Sequence, residues 1–482
     1  MKIIRSLKST GVLLLFLFGI ILLSCGNKYV KKNNKYFVSL KGSDVNNGSS
    51  KAPFRTIKKG VSLLQAGDTL IVEPGNYGSE SAIHINKSGS KGSPIVVLAE
   101  KAGTVFLNGP RKENEVDGPD SLKDGENGTA ILVSDVSYVV IDGFDIRNYL
   151  VGIDVGVWKD DQLKYTNILN KPHNITIKNC TFEYNGKDGI QVFRVDSVLI
   201  SNCSFISKFI MEEENGETYP NAVQDYGCNF YSSTASVVEN CYFYGSHNQA
   251  LSFKEGDVDC VARRNIFEGA PLYTGIYLGQ NKIADNTEEN KNPTCRNLIA
   301  EYNIVRAAEG FRVKSPIRAD NVENAIIRNN YFEGFDKTKK TGGISVFDEA
   351  KGKIEITNNI LAFSVNKDSS AGIYVMENLS PKTQLFIKNN TFYDLAKDIK
   401  GELSKKDTYE KNIIFECGCY LKRDRNNFYG NPKFIESVPK QLPIATSPLK
   451  PDFDEYYFKL TKAFILSENS PAKGFGASLL LK

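Results

Sequence analysis

Short runs with an apolar/polar period of two recur along the chain. Eight of them share one phrase, a small residue, an aliphatic, an outward residue and a second core residue. The copies are Gly152-Ile-Asp-Val, Gly189-Ile-Gln-Val, Ala222-Val-Gln-Asp, Ala250-Leu-Ser-Phe, Gly275-Ile-Tyr-Leu, Gly310-Phe-Arg-Val, Gly343-Ile-Ser-Val and Gly372-Ile-Tyr-Val. Each reads as a short strand. A second phrase stands beside them, as in Asn179-Cys-Thr-Phe, Asn202-Cys-Ser-Phe and Asn389-Asn-Thr-Phe. Its second position lines up Cys180, Cys203, Cys241, Asn265, Asn303, Asn330, Asn359 and Asn390, and its fourth an apolar column from Phe182 to Phe392.

A unit of strands without a helix cannot bury its apolar face alone, but stacked on copies of itself it can. The repeats therefore predict an all-β solenoid. Asparagine in a turn column can bond to the rungs above and below and tolerates left-handed backbone. The pattern resembles the right-handed, single-stranded parallel β-helix of pectate lyases and their relatives, with its asparagine ladder and inner aromatic stack. The resemblance covers about residues 36 to 470.

Taken in order, the chain divides into a signal peptide (1–25), a polar tether (26–35), an N-terminal cap with the first coils (36–109), the β-helix (110–425) and a C-terminal cap (426–482). Lys2 and Arg5 precede the apolar run Val12 to Leu23, and Leu22-Leu23-Ser24-Cys25 follows. That ending resembles the bacterial lipoprotein lipobox, which implies cleavage before Cys25, a lipid on its sulfur and anchoring in the outer membrane of a Gram-negative bacterium. In the cap, Pro53-Phe-Arg-Thr-Ile begins a helix whose Phe54, Ile57, Val61 and Leu64 share one face, expected to cover the open end of the coil.

Composition narrows the partner. The 482-residue chain has a net charge of +4, and removal of the signal peptide brings it to about +1. That balance excludes a protein built to grip nucleic acid. Of the nine cysteines, three stand in the ladder column, where stacked thiols are expected to act as small core residues in a monomeric coil. Cys417 and Cys419 have no second pair to make a zinc site.

Candidate chemistry comes from the outward positions. The two columns of the repeated strand hold Asp154, Gln191, Gln224, Ser252, Tyr277, Arg312, Ser345 and Tyr374, then Gly156, Phe193, Tyr226, Lys254, Gly279, Lys314, Phe347 and Met376. Cations, amides and rings on the middle rungs suit an anionic sugar chain lying along an exposed strip. Three insertions border it, Gly156 to Lys171, Ser207 to Pro220 and Asn281 to Cys295. Substrate contacts are assigned to Arg194, Tyr226, His247, Gln249, Tyr277, Gln280 and Lys314.

Gln249-Ala-Leu-Ser-Phe-Lys254 has the spacing of the Asp-Gly-Phe-x-x-Lys phrase in family 9 polysaccharide lyases and is similar to the lysine strand of family 6. The resemblance implies β-elimination on a uronic-acid-containing polysaccharide, with Lys254 as base. Arg312 and Lys314 would lower the pKa of that lysine and neutralise the substrate carboxylate. In family 9 calcium does the second job, bound by aspartates, for which this chain offers Asp188 and Asp225. Two other readings stay open. Ser246-His-Asn and Arg312-Val-Lys echo polygalacturonase-type glycoside hydrolases, and a glycan-binding surface lipoprotein would need no catalysis at all.

Overall fold

The computed structural model describes residues 33–112, 127–156, 171–214, 217–245, 247–269, 274–279, 294–307, 315–334, 342–347, 349–364, 370–419, 421–438 and 449–477, with 209–214 and 217–222 as backbone only. Among these residues each turn of the coil passes through three strands, for example His173–Lys178, Thr181–Glu183 and Asp188–Phe193, before the next turn begins at Asp196–Ser201. Stacking the turns makes three parallel sheets of 13, 13 and 11 strands. A short antiparallel hairpin, Phe209–Glu214 with Glu217–Ala222, is inserted in one turn.

Register explains the repeats. On the 11-stranded sheet Ile153, Ile190, Cys228, Leu251, Ile276, Ile317, Ile344, Ile373 and Ile399 stand opposite one another, and all are fully buried. On the sheet of Thr181–Glu183, Phe182, Phe205, Phe243 and Phe267 stack face to face with centroids 5.1, 4.7 and 4.5 Å apart. The small residue of the first phrase answers that stack. A Cβ at Gly189 would lie 2.7 Å from the Phe205 ring, and one at Gly227 2.6 Å from Phe243, so the coil closes only where the side chain is minimal.

The asparagine column forms a continuous ladder. Each backbone N–H of Asn265, Asn303, Asn330, Asn359, Asn390 and Asn412 donates to the side-chain oxygen of the next asparagine at 2.9–3.1 Å. Each side-chain amide also donates to a strand carbonyl, such as Val238 or Ala262. The ladder runs two rungs beyond the sequence column, to Asn412 and Asn427. The left-handed residues are one position earlier, Asn179, Asn202, Asn240, Arg264, Tyr302, Asn329, Asn358 and Asn389, with φ of 51–57°. Turn-making and laddering thus fall on neighbouring residues, because a residue that turns the chain cannot also aim its side chain down the core. Cys180, Cys203 and Cys241 continue the column as buried free thiols that donate to backbone carbonyls.

The first helix is Ile57–Leu63. Thr56 caps it by accepting from the Lys59 N–H, and it packs against the strands Lys35–Val38, Thr69–Val72 and Ile83–Ile85. The last helix, Phe453–Thr461, is capped by Asp452. Its Phe453, Tyr457 and Leu460, with the following Phe464, join Tyr242, Ile266, Ile304, Tyr331 and Ile360 in a second apolar cluster along the flank. Residues 1–32, with the signal sequence and Cys25, lie outside the described residues. Among the described ones no helix is long and apolar enough to cross a membrane.

Candidate active site

Two rungs of the 11-stranded sheet differ from the sequence assignment, and the site changes with them. The strand beside Asp188–Phe193 is Tyr226–Tyr231, so its core phrase is Gly227-Cys-Asn-Phe rather than Ala222-Val-Gln-Asp. Ala222 ends the inserted hairpin. The two phrases have the same pattern five residues apart, and the misfit was visible in Asp225, a carboxylate standing in an apolar column. Gln224 consequently turns inward, fully buried, with its side-chain oxygen accepting the Asn185 N–H at 3.0 Å.

The partner of Thr274–Leu278 is Ser315–Ala319, which puts Arg318 next to Tyr277 where Arg312 was expected. Arg312, Lys314 and Gln280 lie outside the described residues. The outward column therefore reads Asp154, Gln191, Asn229, Ser252, Tyr277, Arg318, Ser345 and Tyr374. It is not an exposed strip. Apart from Arg318, these side chains are nearly or fully buried.

Lys254 ends the strand Gln249–Lys254, in register with Tyr231. The buried Asp257 carboxylate fixes the turn that follows, accepting the N–H of Lys254 at 2.8 Å and that of Ser233 at 2.6 Å. The lysine is only 5 % exposed. Its ammonium lies 4.2 Å from the centre of the Tyr226 ring and 5.8 Å from that of Tyr231. Burial lowers its pKa from the ordinary lysine value to about 8, against the opposing pull of Asp188, Glu255, Asp225 and Asp257. Burial, with Asp188 and Asp225 nearby, also pushes the Tyr226 phenol up to about 12. A lysine held this way has a neutral fraction near pH 7 that an exposed lysine lacks.

The floor below is polar and ordered. Ser252 donates to the Asn229 side-chain oxygen, and the Asn229 amide donates to the Tyr231 hydroxyl, both at 2.6 Å. Arg194, in a left-handed turn, lies 4.4 Å over the Phe193 ring and is 8 % exposed. Gln249 is half-buried opposite Tyr226. His247 departs from its assignment as a substrate contact. Its ring is fully buried, 3.2 Å from the Gln224 carbonyl and edge-on to Phe243, and burial takes its pKa down to about 4. It is a neutral part of the core, a place that a turn histidine next to Gly245 does not announce in sequence.

Asp188 and Asp225 both act on Lys254 and Tyr226, so the fold does bring the two carboxylates together. By themselves they supply four oxygens, where a calcium ion takes six to eight. The rung carrying Asp225 continues with Tyr226, Asn229 and Tyr231 in place of further carboxylates, and Asp225 accepts the Asn248 amide. Among the described residues no group of three or more His, Cys, Asp or Glu is placed to hold a metal ion. Among the described residues, Lys254 is a cation on which both carboxylates act.

Residues 36–219 match a family model described as Pel9A-like, right handed beta helix region. The fold is that of the pectate-lyase-like β-helix proteins. Pectate lyase L of Dickeya chrysanthemi is 21 % identical over 403 residues, covering 81 % of this chain and 82 % of that protein. Pectate lyase PEL9 of Emericella nidulans is 29 % identical over 102 residues, covering 21 % of this chain and 25 % of that one. The solved structure of a GH136 lacto-N-biosidase from Eubacterium ramulus overlays with a TM-score of 0.50 at 13 % identity, covering 82 % of this chain and 68 % of that one. That overlay carries the fold alone. In sequence, then, the chain is similar to proteins named pectate lyases, at 21–29 % identity.

Proposed function

We propose that this pectate-lyase-like protein is a polysaccharide lyase that cleaves a uronic-acid-containing polysaccharide by β-elimination, with Lys254 as the base. The observation that carries the reading is the buried Lys254 amine, set over the Tyr226 ring at the polar centre of the sheet with its pKa near 8. In the reaction the neutral amine takes the proton from C5 of the uronic acid. The electron pair left on C5 forms the C4–C5 double bond as the C4–O bond breaks, and the departing oxygen is protonated, so the chain is cut without water.

The test is to incubate the protein with pectate, alginate and glycosaminoglycans, following ultraviolet absorbance of the unsaturated uronide together with reducing ends. A lyase raises both signals on one of these polymers. Reducing ends without absorbance would mean hydrolysis, which needs two opposed carboxylates. Neither signal on any polymer would leave a binder.

The carboxylate pair gives a further expectation. In this reading the Lys254 amine, rather than a cation, is the partner of Asp188 and Asp225, so adding a strong chelator is expected to leave initial rates unchanged. A loss of turnover restored by added calcium would refute this.

A further inference from the structure

We propose that Tyr231 is the proton donor of the elimination, its hydroxyl delivering a proton to the sugar oxygen that departs from C4 while Lys254 takes the proton from C5. The inference rests on the lyase reading and supplies a residue for the step that reading leaves unassigned, protonation of the leaving group. Tyr231 is the direct neighbour of the base. It stands in register with Lys254 on the adjoining strand Tyr226–Tyr231, and the lysine amine lies 5.8 Å from the centre of its ring. C4 and C5 of a sugar are bonded neighbours, so the acid that serves one and the base that serves the other have to stand close together.

The hydrogen bonds of the floor run in one direction. The Ser252 hydroxyl donates to the Asn229 side-chain oxygen, and the Asn229 amide donates to the Tyr231 oxygen. Tyr231 therefore accepts at the end of this chain and keeps its own hydrogen to donate. Donors linked in series polarise one another, which strengthens the last of them and stabilises its oxygen as the proton leaves. The ring stands edge-on to Phe193, with centroids 6.1 Å apart, so the hydroxyl is aimed before substrate arrives. Burial, with Asp188 nearby, raises the pKa of the phenol. The acid thus stays loaded at the pH at which the Lys254 amine is neutral.

The proton account closes within the pair. The Tyr231 O–H bond breaks as the C4–O bond breaks, and the departing oxygen keeps that bond's electron pair and gains the proton. Lys254, left as an ammonium by the C5 proton, then passes a proton back to the phenolate. Both groups are neutral again for the next turnover, and no proton is drawn from outside.

Leaving-group dependence tests the step. Wild type, Tyr231→Phe and Lys254→Ala are compared on the polymer that the wild-type protein cleaves and on a uronide carrying 4-nitrophenolate at C4, which departs as a stable anion without a proton. The expected result for Tyr231→Phe is a fall in kcat of about 10²–10⁴ on the polymer and of at most about threefold on the aryl substrate. Lys254→Ala should lose turnover of both. A residue that only packs would lower both rates together, and such equal losses, or undiminished polymer turnover, would overturn the proposal. Melting temperatures check that the phenylalanine variant folds, and a wild-type measurement keeps the test readable if it does not. In heavy water, at pH values where the rate has levelled off, kcat should fall about twofold on the polymer and stay unchanged on the aryl substrate; equal isotope effects on the two would count against Tyr231. Absence of unsaturated product from the wild-type protein on every polymer would remove the lyase reading and this inference with it, whereas a failure confined to Tyr231→Phe leaves that reading intact.

Discussion

Replacing Lys254 by alanine is expected to cut the rate of unsaturated-uronide formation by a factor of about 10²–10⁴, the usual contribution of a positioned general base. Oligosaccharide binding should survive, because the polar floor of Ser252, Asn229 and Tyr231 is held by its own hydrogen bonds. Arginine at the same position should be equally inactive, since it keeps the charge but cannot lose its proton. Undiminished turnover in the alanine variant would falsify the assignment.

The same amine sets a pH profile. Only its neutral form can accept a proton, so raising the pH towards the lysine pKa of about 8 populates the active state. Below that point kcat/KM should rise about tenfold per pH unit, and above it level off. Asp188 and Asp225 both favour the charged amine, so Asp225→Asn should shift the rising limb to lower pH. A limb centred near the ordinary lysine value, or one unmoved by that substitution, would argue for a different base.

The largest expected effect on stability lies on another sheet, that of the strand Ile304–Ala307. Arg306 is fully buried with Glu268 and Glu333, the three side chains being 0, 2 and 1 % exposed. It bonds to Glu333 through Nε, and to Glu268 at 3.1 Å and the Tyr456 hydroxyl through Nη1. Tyr331 donates to Glu333 at 2.6 Å, and Tyr456 donates to Glu268. Arg306→Ala would leave two carboxylates out of water without their shared cation, at a cost of about 3–5 kcal/mol.

Because Tyr456 belongs to the C-terminal helix, loss of that cation should also loosen the helix from the flank. Urea unfolding is expected to show a lower midpoint, and limited proteolysis earlier cutting within 449–477. Adding Glu268→Gln and Glu333→Gln to Arg306→Met should recover most of the loss, since no charge is then left buried. An unchanged midpoint in the alanine variant would mean that the cluster carries little of the fold.

The repeat pattern alone determined the coil, its inward columns, the asparagine ladder and the strand that presents Lys254. These are properties of period and spacing, and stacking identical units turns a one-dimensional period directly into a three-dimensional column. Where an insertion broke the period, sequence could not choose between phrases of equal pattern. Ala222-Val-Gln-Asp and Gly227-Cys-Asn-Phe are both small-then-apolar, and only parallel pairing with Asp188–Phe193 selected the second.

The next such choice put Arg318, rather than Arg312, on the rung beside Tyr277. Burial was equally hidden. That Lys254 is shielded, that His247 belongs to the core and that Arg306 sits between two glutamates all depend on what lies across a sheet or over it. Such contacts are set by the packing of chain segments far apart in sequence, which no local period encodes.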